Sequence, residues 1–300
     1  MNHQKTNAPP AIITRFAPSP TGRLHLGHAF SAGYGFLKAQ KAGGRFILRI
    51  EDIDPQRCHQ KFEDGFYEDL RWLGITWEGD VRRQSDHMDD YARALETLQN
   101  KGLLYPCFCS RKDILNKTGD DINSMEGPEG PLYPGTCRKL STEQSTELIK
   151  AGKPYALRLK MDKAVQSISK TLYWVDVTKG EIEATPQIFG DVVLARKDTP
   201  VSYHLCVTID DHLQNITHVT RGIDLFFASH IHRLLQELLA LDVPVWDHHG
   251  LLLDKRERKF SKSDQSVTIQ SYREESGLSP RDVLIMAGIT DPNDIALFNL

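Results

Sequence analysis

Two imidazoles three residues apart, in His25-Leu26-Gly27-His28, form the stretch of this sequence best suited to chemistry on an anion. At the start of a helix, residues i and i+3 share one face of the first turn, beside backbone N–H groups that have no partner within the helix. Such a place attracts phosphate and suits the triphosphate of ATP. Gly27, with no side chain, lets a flat purine approach the backbone. A bare H-x-x-H is most often a surface pair on an amphipathic helix. Here it follows Arg15-Phe16-Ala17-Pro18-Ser19-Pro20-Thr21-Gly22 and lies between a strand signal and a helix signal, which favours the functional reading. A second cluster is Cys107-x-Cys109 with Cys137 beyond a Pro/Gly-rich stretch. With no histidine between His87 and His204, a local Cys/His finger is excluded, and the fourth ligand of any metal is Tyr, Asp, Glu or water. Three sulfurs fit either a structural zinc ion or three buried free thiols. Cys58 and Cys206 read as packing residues, and the six histidines from His212 to His249 as packing and surface residues. His230 and His232, two apart on a predicted helix, do not share a face.

These residues need a scaffold, and the pattern around them is βαβ. Ile12–Ala17 reads as a strand, His25 to about Ala42 as a helix closed by Gly43-Gly44, and Arg45–Ile50 as a second strand. This predicts an α/β, Rossmann-type parallel sheet with ligand at the carboxyl ends of its strands. Helices follow at Phe62–Leu73 and Tyr91–Lys101. From Tyr105 the texture changes to cysteines, a Gly/Pro/acid-rich stretch, and strand-like runs near Tyr155–Leu159 and Ile188–Ala195, as in an inserted lobe. The α/β pattern resumes at Val201–Ile209 and Ile216–Val219, with an apolar helix at Phe226–Leu241 and a small helical piece around Pro280–Ala287. The expected segments are 1–104 and 201–250 for the two halves of the sheet domain, 105–200 for the insert, and 251–300 for a basic loop with a small helical appendage.

Composition sets the outer limits. At 300 residues, with 40% hydrophobic and 26% charged residues, the chain is globular and large enough for one large domain or two. With 37 Lys+Arg against 40 Asp+Glu, the net charge of −3 excludes a generically basic nucleic-acid coat, so RNA contact must come from local patches. Two such patches are Lys255, Arg256, Arg258, Lys259 and Lys262, and Arg111, Lys112 and Lys117. No apolar run approaches the ~20 residues of a membrane span, and the polar start has no signal-peptide core. Five cysteines with no disulfide pattern fit a reducing cytoplasm.

The His25–His28 string, with the Arg-Phe-Ala-Pro-Ser-Pro-Thr-Gly before it, resembles the HIGH signature of class I aminoacyl-tRNA synthetases, specifically the glutamyl group. Lys259-Phe260-Ser261-Lys262-Ser263 is similar to their KMSKS loop, with Phe260 in place of Met. The resemblance implies that Lys259 and Lys262 swing onto the leaving pyrophosphate and that His25, Gly27 and His28 bind ATP with its Mg2+. It places Glu51 on the ammonium group of glutamate, Arg15 and Arg221 as forks for its carboxylates, and Ser19 and Tyr203 as hydroxyl contacts. It also implies Tyr133 as the fourth ligand of one Zn2+ with Cys107, Cys109 and Cys137.

Two departures refine the resemblance. After the KMSKS-like loop only residues 264–300 remain, where glutamyl-tRNA synthetases carry a large helical anticodon-binding part. Arg221-Gly222-Ile223-Asp224-Leu225 also lacks the Glu-Trp pair common after that glycine. Both are similar to the short paralogue family, the glutamyl-queuosine tRNA(Asp) synthetases. That family activates glutamate without tRNA and attaches it to queuosine in the anticodon of tRNA(Asp). The expected partners are ATP, glutamate and queuosine-containing tRNA(Asp), bound by a cytoplasmic monomer without membrane contact. The alternatives are a truncated glutamyl-tRNA synthetase charging an acceptor end, and a catalytically silent tRNA-binding zinc protein. Intact His25, His28, Lys259 and Lys262 disfavour the silent protein.

Overall fold

The structure, a computed structural model, describes residues 11–118, 126–252 and 267–300. The chain begins with strand β1 (Ile13–Phe16), helix α1 (Leu26–Lys41) and strand β2 (Arg45–Ile50), with β1 and β2 parallel from Ile13 opposite Arg45 to Phe16 opposite Leu48. Two glycines stop the helix and start the return strand. Gly43 takes a φ of 59°, a left-handed value that costs glycine little. At Gly44 an added Cβ would lie 2.0 Å from the Ile12 carbonyl oxygen, so only glycine lets the chain pass β1 there. Helix α2 (Gln60–Trp72) and the short β3 (Arg82–Arg83), parallel to β2, follow.

Next come α3 (Met88–Asn100), β4 (Leu104–Cys107), α4 (Arg111–Thr118), the ribbon β5 (Glu126–Gly127) and β6 (Gly130–Pro131), and α5 (Thr142–Lys150). Then follow β7 (Ala156–Leu159), α6 (Met161–Gln166), the hairpin β8 (Tyr173–Asp176) and β9 (Gly180–Glu183), β10 (Val193–Ala195) and α7 (Tyr203–Leu213). The chain continues with β11 (His218–Gly222), α8 (Ala228–Leu239) and β12 (Val245–His249), then the short helices α9 (Ile269–Glu274), α10 (Pro280–Met286) and α11 (Pro292–Ile295). Contacts divide these elements into two compact units. One comprises Met1–Arg83, Asn215–Asp224 and Pro244–Leu300, the other Gln84–Gln214 and Leu225–Val243. The cuts do not follow the four sequence segments one for one: α3 groups with the insert-bearing unit.

The first unit is the expected α/β sheet. β11 docks on the side of β1 away from β2, where the Ile13 amide donates to Thr217 Oγ1 at 2.7 Å and the Thr217 amide to the Ile13 carbonyl at 3.1 Å. β12 runs parallel to β11. The two parallel ladders, β3-β2-β1 and β11-β12, thus meet where β11 lies against β1, the kind of boundary at which α/β sheets open a crevice. Helix α1 covers this boundary. Its Ala29, Ala32 and Phe36 join Phe16, Phe46 and Leu48 of the strands and Val283, Leu284, Ile289 and Phe298 of the C-terminal segment in one apolar core.

The second unit holds the antiparallel sheet β10-β7-β4 and the β8–β9 hairpin. Its helices α7 and α8 pack together beside α3, where the buried Asp210 carboxylate accepts from Gln84 Nε2 at 2.8 Å and from Tyr91 Oη at 2.9 Å. The strand-like run Ile188–Ala195 is a strand only over Val193–Ala195. Pro186–Phe189 is a 3-10 turn, and Gly190, at φ 60°, ends it. Among the described residues no helix is long and apolar enough to cross a membrane.

Candidate functional site

The loop from β1 into α1 sets the first cluster. His25 is the N-cap of α1 and His28 its third helical residue. The Gly27 amide donates to His25 Nδ1 at 3.1 Å, and the His25 amide donates to His28 Nδ1 at 3.2 Å. Each Nδ1 accepts, so in the neutral ring the proton sits on Nε2, and Nε2–H is the group each ring can offer an oxyanion. The rings lie with centroids 3.8 Å apart, tilted by 31° to one another. The Gly27 amide is thus engaged by the capping ring, one of the first-turn N–H groups that a helix start would otherwise leave without a partner.

The glutamate residues expected in the first unit gather at the strand carboxyl ends. Arg15 of β1 and Arg221 of β11 are each only 5% exposed, on neighbouring strands. Arg15 Nη1 donates to the Thr220 carbonyl at 3.0 Å, tying the two strands together. Glu51 follows β2 directly, is buried, and meets the fully buried Arg49 at 3.3 Å (Oε1 to Nη2). Arg49 and Glu51 are two apart, so strand periodicity puts both on one side of the sheet. The Glu51 amide donates to the Pro18 carbonyl at 3.1 Å and the His59 amide to the Pro20 carbonyl at 2.9 Å. Ser19 lies between those two fixed carbonyls. Tyr203 is the first residue of α7, in the second unit.

Lys259 and Lys262, with Lys255, Arg256 and Arg258, lie outside the described residues. The flanks of that segment are described. Thr268 makes a β-bridge with His25, and the Ile269 amide donates to the Leu24 carbonyl at 2.9 Å.

Two contributors carried no sequence signal. His248 of β12 is buried and its Nε2 accepts from Arg221 Nε at 3.1 Å. Asp247, also buried, receives Tyr34 Oη at 3.0 Å and Lys38 Nζ at 2.7 Å, pinning α1 to β12. The histidines read as packing and surface residues are mostly interior: His230, His232, His248 and His249 are buried. His230 Nδ1 accepts the Thr185 amide at 2.9 Å, and His249 packs against the Phe30 and Tyr34 rings. Cys206 is buried, and its thiol donates to the Tyr203 carbonyl at 3.4 Å.

In the second unit, Cys107 at the end of β4, Cys109 just beyond it and Cys137 in the turn Thr136–Lys139 bring their sulfurs within 4.8 Å of one another, and this cluster can hold a metal ion. Cys109 and Cys137 Sγ are 3.4 Å apart. Tyr133 Oη lies 3.5 Å from Cys109 Sγ and accepts the Cys137 amide at 2.8 Å. Metal–sulfur bonds of about 2.3 Å give tetrahedral edges of about 3.8 Å, so the cluster is already near the spacing that four ligands adopt.

A family model described as "tRNA synthetases class I (E and Q), catalytic domain" matches residues 11–294. The glutamyl-Q tRNA(Asp) synthetase of Rhodobacter capsulatus is 46% identical over 93% of this chain and the whole of its own length. The glutamate–tRNA ligase of Aquifex aeolicus is 38% identical over 94% of this chain, which spans 58% of that ligase. Among solved structures, a glutamate tRNA ligase from Elizabethkingia meningosepticum in complex with its amino acid superposes with a TM-score of 0.75 at 27% identity, covering 96% of this chain and 64% of that one. With strands, signature turn and match in agreement, the chain belongs to the catalytic-domain family of the class I tRNA synthetases for glutamate and glutamine.

Proposed function

We propose that this chain activates glutamate with ATP, without tRNA, and transfers it to the queuosine of tRNA(Asp). The observation that carries the reading is the match over the whole length of a glutamyl-Q tRNA(Asp) synthetase at 46% identity, where glutamate–tRNA ligases match more weakly. Arg15 and Arg221 hold the two carboxylates of glutamate and Glu51 its ammonium group, with Ser19 and Tyr203 adding hydroxyl contacts. A glutamate carboxylate oxygen attacks the α-phosphorus of ATP, whose bond to the bridging oxygen breaks to release pyrophosphate. His25 and His28 Nε2–H, with Lys259 and Lys262, stabilise the charge that grows on the phosphates, and donors of this kind act most strongly in the transition state. Magnesium enters as the counter-ion of the nucleotide. A hydroxyl of the cyclopentenediol then attacks the adenylate carbonyl, AMP leaves with the bonding electrons, and the hydroxyl proton passes to solvent.

Cys107, Cys109, Cys137 and Tyr133 form the ligand set of one structural zinc ion, supported by the sulfur spacing and by the phenol oxygen 3.5 Å from a sulfur. Such an ion ties β4 to the loop ahead of α5. The same reading puts the chain in the cytoplasm as a monomer, with free nucleotide and tRNA. The test is glutamate-dependent ATP–pyrophosphate exchange without tRNA, followed by transfer of labelled glutamate to purified tRNAs with blocked 3′ ends. Exchange with glutamate but not glutamine, and charging of queuosine-containing tRNA(Asp) alone, is the expected result. Charging of tRNA(Glu) with its 3′ end free, and none of queuosine-containing tRNA(Asp), makes the chain a glutamate–tRNA ligase instead.

A further inference from the structure

The second unit contains a cavity of about 390 Å³ between the β5–β6 ribbon, β7, β10 and the start of α7. Its wall includes Tyr203, the residue assigned above to glutamate. Immediately before it, Ser202 is 7% exposed, and its Oγ has no hydrogen-bond partner among the described residues. A buried hydroxyl without a partner costs about 1–3 kcal/mol, a cost a ligand would remove. Across the cavity, Glu129 of the ribbon receives His204 Nε2 at 3.1 Å, and this bond holds its carboxyl below the ordinary range and therefore ionised. His204 is backed in turn by His232, 3.3 Å from its Nδ1. Two guanidiniums complete the lining. Arg158 lies 3.9 Å over the Tyr133 ring and is anchored on the Asp191 carbonyl at 2.6 Å, while the Arg196 side chain is 52% exposed.

We propose that this cavity is the acceptor subsite: it receives the hydroxylated ring of the modified nucleoside, with Glu129 and Ser202 as its hydroxyl partners and Arg196 towards the RNA phosphates. The inference rests on the function proposed above and names the site that function lacks. A carboxylate accepts two vicinal hydroxyl protons, and a serine hydroxyl accepts or donates as needed. Unmodified guanosine offers no such diol, so a site built this way would disfavour it by leaving the buried Ser202 hydroxyl unpaired. Tyr203, whose hydroxyl the proposed function gives to glutamate, lines the same cavity.

The experiment uses the whole protein and two readouts. Equilibrium dialysis with labelled queuosine nucleoside measures the cavity directly. Transfer to queuosine-containing tRNA(Asp) and tRNA-free pyrophosphate exchange separate acceptor binding from activation. Ser202→Ala and Glu129→Gln are each expected to weaken nucleoside binding and raise the KM for tRNA about tenfold with exchange unchanged, and Ser202→Ala is expected to melt no lower than the wild type, since it removes an unpartnered buried hydroxyl. Arg196→Ala is expected to raise the tRNA KM while leaving nucleoside binding intact. Nucleoside that fails to bind the wild type, or binds both pocket variants as well as the wild type, overturns the subsite. A wild type that binds the nucleoside in a Glu129-dependent way but charges only tRNA(Glu) leaves the subsite standing and refutes the proposed function.

Discussion

Arg221 owes part of its orientation to one neutral ring, and removing that ring is expected to damage glutamate binding without touching the phosphate chemistry. In His248→Ala, Arg221 Nε loses the acceptor now 3.1 Å away, in surroundings where both side chains are buried. A hydrogen bond to a charged group contributes about 1.5–3 kcal/mol, and about 1.4 kcal/mol is a factor of ten. If the whole loss falls on the aim of the guanidinium, the KM for glutamate rises by about ten- to one-hundredfold. The turnover number should stay near the wild-type value, since the fork holds the ground state and the transition state alike. His248→Gln presents an amide oxygen at a similar reach and should recover most of the loss.

The assay is pyrophosphate exchange at saturating ATP over a glutamate series, with a melting curve for each variant. A glutamate KM within twofold of wild type in His248→Ala, with the fold intact, refutes the positioning role. So does an equal defect in His248→Gln, which would point to ring packing instead of the acceptor.

Asp247→Ala strands Lys38 and Tyr34 beneath α1. Breaking a buried pair costs about 3–5 kcal/mol, and because the Lys38 side chain keeps 20% exposure the expected loss is nearer 2–3 kcal/mol in urea unfolding, about what the pair and one phenol bond supply; a loss below 1 kcal/mol counts against the anchor. Burial lowers the pKa of His249, and of His218 and His230, below the usual 6.5, so the unfolded chain binds more protons than the folded one once the pH falls below that value. Stability should therefore be full above pH 6.5 and fall as the pH drops towards 5, less steeply in His249→Asn; urea midpoints that do not change between pH 5 and 7 would contradict this. Metal analysis should find about one zinc per chain in the wild type and a large loss in Cys109→Ser, with Tyr133→Phe intermediate; full zinc in Cys109→Ser removes the ligand set. Lys262→Ala should cut exchange turnover by roughly a hundredfold, about 3 kcal/mol, with little change in the glutamate KM; a raised ATP KM at unchanged turnover would make its role uniform binding.

Local signals sufficed for the βαβ start: the Gly43-Gly44 stop, the alternation ending in Arg49-Ile50-Glu51 and the His25–His28 turn each depend on residues within a few positions of one another. The cysteine cluster was legible from residue type, since Cys107 and Cys109 are adjacent but one, although Cys137 follows only after α4 and the β5–β6 ribbon. Other features depend on partners far apart in the chain. His248 becomes the acceptor for Arg221 only because β11 and β12 pair in register, and Asp247 meets Lys38 more than two hundred residues away only because α1 lies over that sheet. That His25 caps the Gly27 amide was not legible, because sequence shows a helix start but not whether a ring will swing back to cap it. The cavity beside Ser202 collects the ribbon, β7, β10 and α7 from four separate stretches, so its shape and its unpartnered hydroxyl exist only once the chain has folded. Sequence determines which groups are available and which local turns they prefer; tertiary packing decides which of them are buried, which are paired, and which are left for a ligand.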